Sequence, residues 1–113
     1  MTPEMQEFLD KRTGPHITKD DIKKRIGAVD FTNNGLMTIC VITLDNGFKV
    51  VGTSNCVSKE NFNPQIGETL AHNNAFDQLW GLFGFLLRED LYRAKVQNDE
   101  LSFLSAVGDE SGD

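Results

Sequence analysis

The chain has 113 residues, of which 39% are hydrophobic and 25% charged, and its formal net charge is −6. That length suits one globular domain with a modest core. Five acidic residues and no basic ones lie within residues 99–113, so residues 1–98 hold 12 acidic against 11 basic groups. Because residues 1–98 are nearly neutral, they are a poor candidate for binding a nucleic-acid backbone, and we expect no direct nucleic-acid partner.

The sequence carries no pattern of a targeting segment or a metal site. The N-terminal residues lack the apolar core of a signal peptide, and the longest strongly apolar run, Leu79–Leu87, is far short of a membrane span. Cys40 and Cys56 form no CxxC pair, and His16 and His72 are the only histidines. We therefore expect reduced cysteines, no metal, no cofactor, no membrane partner and a cytoplasmic location.

The N-terminal part predicts an arm and a short helix. Residues 1–15 are polar and end in a Gly-Pro pair, which is typical of a flexible arm or a short loose helix. Thr18 then precedes KDDIKKRI, in which the acids come first and the bases last. That order matches the helix dipole, with Thr18 as the cap, and predicts a short helix ending at residue 25 or 26.

Two to three antiparallel strands are predicted next. Ala28–Thr32 is a candidate first strand, closed by a turn at Asn33-Asn34-Gly35. Met37–Leu44 is rich in Thr, Ile and Val, and we expect both of its faces to be buried. Together with a following strand, these segments predict a small antiparallel sheet.

Asn46-Gly47 predicts the second hairpin. Both central residues of a type I′ turn need positive φ, which Asn and Gly tolerate best. A two-residue loop there would place Ile42 opposite Val51 and Cys40 opposite Thr53. The cysteines would then not face each other, which argues against a disulfide.

A long C-terminal helix is predicted after the polar loop of residues 54–63. Asn63 can cap it and Pro64 suits its first position. We expect it to end near Arg88 or as late as Lys95. Its apolar residues point all the way round in the segment WGLFGFLL, so we expect a second copy to cover it, in a dimer or a multiple of dimers. The expected interface residues are Trp80, Leu82, Phe83, Gly84 and Phe85.

The two glycines of this segment and the apolar part of the C-terminal tail can each be interpreted in two ways. Gly81 and Gly84 would let another backbone approach, or would merely kink or end the helix, and each costs roughly 1 kcal/mol of helix propensity. We assign residues 1–98 to a single α+β domain and residues 99–113 to an acidic, flexible tail. Within that tail, Leu101–Val107 is an apolar island that either docks on a surface or stays disordered.

The sequence offers no constellation of nucleophile and base, paired carboxylates or metal ligands, so we expect no enzyme and no catalytic residue. Asn73 and Asn74 are unusual inside a helix, and we expect at least one of them to bond a loop backbone, a partner or a ligand. Phe62 is either a packing contact between loop and helix or a face on which a nucleobase stacks. Arg88 either pairs with a neighbouring acid or clamps a phosphate.

The string NGFKVVGTSNCVSKENF, followed by IG…A..NAFDQLW.L.GFLL, resembles the gene-49/gene-66 family of small tailed-phage proteins. That family's pattern is roughly NGFxVxGxSxCVDPxNFDxxIGxxxAxxNAxxxxWxLxGYLL, and the match covers Leu44–Leu87 without gaps. The chain departs from it at Ser58-Lys59, where Asp-Pro is usual, and at Phe83-Gly84-Phe85, where Glu-Gly-Tyr is usual.

The resemblance implies a function by binding. Some members look like anti-Thoeris sponges, non-enzymatic oligomers that sequester cyclic ADP-ribose-type signals or cyclic oligonucleotides in the cytoplasm of the infected host. A small nucleotide signal is therefore the expected partner. Four of the expected ligand-binding residues rest on the loop and helix motif, and the cations are assigned from chemistry. The full expected set is Phe62, Asn73, Asn74, Ser54, Asn61, Lys49, Lys59 and Arg88.

Two other classes of function stay open. The protein could dock on a bacterial host protein through its helix or its acidic tail, or it could be a structural assembly factor. A sponge predicts that a nucleotide binds and is released unchanged, whereas a docking module predicts loss of its partner when residues 99–113 are removed.

Overall fold

The computed structural model describes the backbone of residues 2–111 and the side chains of residues 2–100. It confirms the predicted α+β class, with short N-terminal helices, a three-stranded antiparallel sheet and a long C-terminal helix. The elements are α1 (Pro3–Asp10), α2 (Lys19–Lys23), β1 (Ile26–Asn34), β2 (Met37–Leu44), β3 (Lys49–Asn55), a 3-10 turn (Lys59–Asn61) and α3 (Pro64–Ser111).

Both N-terminal helices begin at threonine caps. The Thr2 hydroxyl accepts a hydrogen bond from the Met5 N–H at 3.1 Å, and none of the residues of α1 is buried. At α2, the Asp21 N–H donates to the Thr18 hydroxyl (3.1 Å) and the Thr18 N–H donates to the Asp21 carboxylate (2.8 Å). This reciprocal capping box confirms the start of the helix predicted after Thr18, but the helix ends at Lys23 and not at residue 25 or 26, because β1 begins at Ile26.

The sheet has the strand order β1-β2-β3. β1 is longer than predicted and pairs with β2 up to Asn34 opposite Met37, so the turn lies at Gly35-Leu36 and not at residues 33–35. Gly35 has a φ of 62°, which a residue with a side chain adopts at a steric cost. The predicted burial of β2 on both faces is wrong, because its residues alternate between buried and half-buried.

The predicted type I′ turn at Asn46-Gly47 is also wrong. Gly47 has a φ of 91°, but Asn46 does not have positive φ. The Gly47 N–H donates to the Leu44 carbonyl (2.9 Å) and the Leu44 N–H donates to the Phe48 carbonyl (2.8 Å), which makes a three-residue loop. The Asn46 side chain accepts from the Phe48 N–H at 3.0 Å and holds this turn.

The longer loop shifts the β2–β3 register by one residue. Ile42 lies opposite Val50 and Cys40 opposite Gly52, instead of Val51 and Thr53. A slip of one residue exchanges the two faces of a strand, so Val50 and Gly52 face the core.

The helix α3 packs across β2 and β3. Its buried residues recur every four positions, with Phe76 beside them, and the sheet contributes Cys40 and Ile42 to the same core. A Cβ on Gly52 would lie 2.2 Å from the Ala71 carbonyl oxygen, so the helix backbone rests directly on this glycine. The buried positions on α3 are Gly67, Ala71, Ala75, Phe76, Leu79 and Phe83.

α3 ends at Ser111 and is therefore longer than predicted. From Gly84 to Glu100 none of its described side chains is buried. The flexible tail expected at residues 99–113 stays a prediction, since the side chains of Leu101–Val107 lie outside the described residues.

Candidate functional site

A small pocket lies at the corner where β3 leads through the 3-10 turn into α3. Its volume is about 110 Å³, and we refer to it as the corner pocket. Ser54, Asn61 and Phe62 line it, and these are three of the ligand-binding residues predicted from the sequence. The structure thus brings together the predicted loop residues on either side of the turn.

Two local features hold this corner in place. The Asn63 side chain caps α3 by accepting from the N–H groups of Gln65 (2.9 Å) and Ile66 (3.2 Å). At the first turn, a Cβ on Gly67 would lie 2.6 Å from the Thr38 hydroxyl, so the helix starts in close contact with β2. Because this start is fixed, the Phe62 ring is held half-buried in the wall of the pocket.

Cys56 places a thiol on the pocket wall. Its Sγ lies 3.1 Å from the Ser58 carbonyl, and its N–H donates to the Leu36 carbonyl at 3.0 Å. Cys40 is the second free cysteine and is fully buried in the core. Burial, with a smaller contribution from Asp30, raises the pKa of the Cys40 thiol. Cys56 is therefore the accessible thiol of the two.

Asn74 has a structural contact in the protomer. Its side-chain carbonyl accepts a hydrogen bond from the Thr53 N–H at 3.1 Å, on the outer edge of β3. One of the two helix amides thus bonds a backbone group, but that group belongs to the strand β3 and not to a loop, a partner or a ligand as predicted. Asn73 is exposed, and no hydrogen bond to its side chain is formed within the described part of the chain.

The three predicted cations do not converge on the corner pocket. Lys49 donates to the Thr43 hydroxyl (2.8 Å) at the far end of β3, and Lys59 is exposed on the 3-10 turn. Arg88 is 22 residues beyond Ile66, or roughly 33 Å along the helix axis at 1.5 Å per residue. Within one protomer, Lys59 is the predicted cation nearest to the pocket in the chain.

The family model of the "Phage protein (N4 Gp49/phage Sf6 gene 66) family" matches residues 16–91. The chain belongs to this phage protein family. The match spans the sheet, the corner pocket and the first part of α3, and leaves out α1 and the end of α3. No curated protein and no solved structure shows significant similarity to the chain.

Sequence reasoning missed Gln78 in this phage family protein. Its amide donates to the Val51 carbonyl at 2.6 Å, beside the contact of Asn74 with Thr53. Asn74 and Gln78 are four residues apart, so they share one helix face, and that spacing was the available signal. Together they fasten α3 to the edge of the sheet.

The residues predicted for an oligomer interface divide into two groups. Phe83 is only 6% exposed and packs in the core beneath Arg25, whose guanidinium lies 5.9 Å from the ring centroid. It is therefore a core residue of the protomer, and the small part of it that stays open lines an apolar groove; its predicted role between copies stays a prediction. Trp80, Leu82 and Phe85 are exposed by 40, 40 and 70%, and Gly84 has open space around it. Their role between copies stays a prediction.

An apolar groove of about 210 Å³ lies at the opposite end of the sheet from the corner pocket. Exposed Phe48 from the hairpin and Leu82, Phe85 and Leu86 from α3 line it. Its one charged lining residue, Arg25, is paired with the Asp45 carboxylate at 2.8 Å, so the surface it presents is chiefly apolar.

Among the described residues, none of the helices is long and apolar enough to cross a membrane, and no cluster of three or more potential metal ligands occurs. His72 is accounted for by packing, since its ring stacks on Phe76 at 6.0 Å and Phe76 meets Trp80 edge-on at 6.2 Å.

Proposed function

We propose that this phage protein binds and sequesters a cyclic nucleotide immune signal, of the cyclic ADP-ribose type or a cyclic oligonucleotide, without cleaving it. The observation that carries the proposal is the corner pocket, where Ser54, Asn61 and Phe62 converge. An aromatic ring beside hydroxyl and amide groups suits a nucleobase, which needs a stacking face and hydrogen-bond partners on its edge.

The pocket's size limits what it encloses. Its volume of about 110 Å³ is below the roughly 300 Å³ at which ligand pockets usually begin. The proposal therefore places one base in the pocket and the rest of the ligand across its mouth. The first free N–H groups of α3 already bond to Asn63, so the phosphates need Lys59 or cations from a second copy, such as its Arg88.

Calorimetry with a panel of cyclic ADP-ribose isomers and cyclic di- and trinucleotides tests the proposal. We expect stoichiometric binding to at least one ligand, and release of that ligand chemically unchanged after denaturation. Phe62→Leu keeps an apolar contact but removes the stacking face, and should weaken binding roughly 5- to 150-fold, the equivalent of about 1–3 kcal/mol. Phe48→Leu is the matched control, because Phe48 is exposed in the other groove.

The thiols give an independent readout. A ligand seated in the corner pocket should slow alkylation of Cys56, while buried Cys40 serves as an internal reference. Absence of heat with every ligand, or binding that leaves Cys56 equally reactive, would contradict this assignment of the site.

Docking on a bacterial host protein is the second candidate, and the apolar groove favours it. Phe85 is 70% exposed at this groove, and surfaces of this kind are typical of protein contacts. A photoreactive residue at position 85 should then cross-link one defined host protein during infection, while one at position 57, which is fully exposed but outside this groove, should not. Equal cross-linking from both positions would argue against docking there.

A further inference from the structure

The two outer edges of the sheet differ in how they are closed. On β3, the Val51 carbonyl and the Thr53 N–H are bonded by side chains of Gln78 and Asn74. β1 is the other edge strand. Within the described part of the chain, no element hydrogen-bonds to the outer side of the β1 backbone. Only one of the two edges is therefore protected from pairing with another strand.

The register shows which groups of β1 face outward. The Leu44 N–H donates to the Phe48 carbonyl, so even-numbered residues of β2 bond toward β3 and odd-numbered ones toward β1. The partners of those odd-numbered residues are the even-numbered residues of β1. The N–H and C=O groups of Val29, Phe31 and Asn33 therefore point away from the sheet.

Two apolar side chains on this edge, Val29 and Phe31, are partly exposed. Val29 lies opposite Ile42 and Phe31 opposite Cys40, so both belong to the core-facing side of the sheet. They are nevertheless 38 and 39% exposed, because α3 covers β2 and β3. A groove of about 320 Å³ separates Phe31 from the first turns of α3 and leaves this side accessible.

Between Ala28 and Asn34, β1 carries few of the usual obstacles to edge pairing, and its one charged side chain there, Asp30, lies opposite Val41 on the face away from the core. Residues 28–34 contain no Lys and no Pro, and the one irregularity lies before them, between Ile26 and Ala28. Natural edge strands are commonly blocked by such residues or by bulges. An open, unblocked edge with apolar side chains on one face is a template for another strand.

We propose that β1 pairs with β1 of a second copy in an antiparallel, two-fold symmetric ladder. Placing Phe31 opposite Phe31 of the second copy sets Val29 opposite Asn33, and the three outward pairs exchange roughly six backbone hydrogen bonds. Asp30 then faces Thr32. Centring the ladder on Asp30 would oppose two carboxylates, which is unfavourable.

A second copy is the partner we infer, because one symmetric contact pairs the open β1 edge of both copies at once. Its own Val29 and Phe31 lie on the same face, so the pairing removes both apolar strips from water together. One continuous sheet then runs through both copies, with both α3 helices on one face and both β3 edges at its ends, where Asn74 and Gln78 already protect them.

Disulfide trapping tests the register in the full chain carrying Cys56→Ser. Facing residues in a hydrogen-bonded antiparallel pair have Cα atoms about 5.5 Å apart, within the range of a disulfide. Phe31→Cys should form a covalent dimer under mild oxidation, while Asp30→Cys should not. Dimer trapping at position 30 and not at position 31 would overturn the register.

Edge variants test the pairing itself. The N–H of Val29 points outward, so Val29→Pro removes no hydrogen bond within one copy. Val29→Pro and Phe31→Lys should each halve the particle mass measured by sedimentation, while Thr32→Lys on the other face serves as the reference for an added charge. A monomeric wild-type protein of 12.6 kDa, or a mass unchanged in both edge variants, would overturn the proposal.

Discussion

The two halves of α3 differ in what supports them. Up to Phe83 the helix carries a buried residue every fourth position and rests on the sheet, whereas from Gly84 to Glu100 none of its described side chains is buried. The first half is therefore held by tertiary packing, and the second, as far as Glu100, is held mainly by helix propensity and local pairs such as Arg93 with Glu89 (3.2 Å). A helix can thus be continuous in structure and still be uneven in stability.

The largest expected effect concerns the glycine beneath the packed half. Gly52→Ala would place a Cβ 2.2 Å from the Ala71 carbonyl oxygen and 2.3 Å from the Ala75 nitrogen. Helix backbone cannot give way as a side chain does, so we expect the free energy of unfolding to fall by more than about 4 kcal/mol. Urea denaturation followed by circular dichroism measures it.

The same substitution in the other half should have the opposite sign. Gly84 has nothing within 4 Å of its Cβ position, so Gly84→Ala should raise the free energy of unfolding by up to about 1 kcal/mol. If Gly84→Ala is instead destabilising, a backbone from another copy contacts this position, which is one of the two alternatives that the sequence left open for Gly84.

Leucine truncation gives the second comparison. Leu79 is fully buried, and Leu79→Ala should cost about 3 kcal/mol of unfolding free energy. Leu91 is 39% exposed on the second half of α3, and Leu91→Ala should cost less than about 0.5 kcal/mol of unfolding free energy. Both variants are measured by urea denaturation at low protein concentration. A loss at Leu91 as large as that at Leu79 would show that the second half is covered by a partner.

A smaller effect is expected at the edge contacts that fasten the packed half. Asn74→Ala removes the acceptor of the Thr53 N–H, and we expect a loss of about 1 kcal/mol of unfolding free energy. Asn74→Asp keeps an acceptor in the same place and should retain most of the stability. Asn73→Ala is the matched control on the neighbouring, exposed position, and an equal loss there would refute the role of this contact.

The sequence predicted the parts of this fold that depend on local chemistry. The cap at Thr18, the start of α3 at Pro64 and the strand Met37–Leu44 are confirmed. The hairpin register was missed because Asn-Gly also suits a three-residue loop, in which only Gly47 needs positive φ. Local preference does not distinguish the two-residue loop from the three-residue loop. The three-residue loop places Gly52 beneath α3, and this contact between residues far apart in the chain selects it.

The candidate site was predicted in part for the same reason. Ser54 near the end of β3, Asn61 in the 3-10 turn and Phe62 just after it are close together in the chain, so their convergence follows from local structure. Arg88 and Lys49 were assigned by chemical type, and where they lie depends on helix length and strand register. Chemical type alone carries no information about distance in the folded chain.

The smallest expected effect concerns the pH dependence of the cap on α2, which lies outside α3. Hydrogen bonds from the Thr18 backbone and hydroxyl, and to a lesser degree the positive charge of Lys24, hold the pKa of Asp21 below its ordinary value of 3.8. A carboxyl with a lowered folded-state pKa adds stability that is fully present above its unfolded pKa. That stability is lost as the pH falls through the folded-state pKa.

Wild-type protein should therefore lose stability below about pH 4 more steeply than Asp21→Asn, and the two curves should converge at the acid end. Thermal unfolding between pH 2 and pH 6, followed by circular dichroism, measures the difference. Asp20→Asn removes a neighbouring carboxylate that takes no part in the capping box, so it should keep the wild-type slope. α2 packs on the first half of α3 through Ile22 and Lys19. If Asp21→Asn lost stability with falling pH as steeply as the wild-type protein, the cap on α2 would not support that half of the helix.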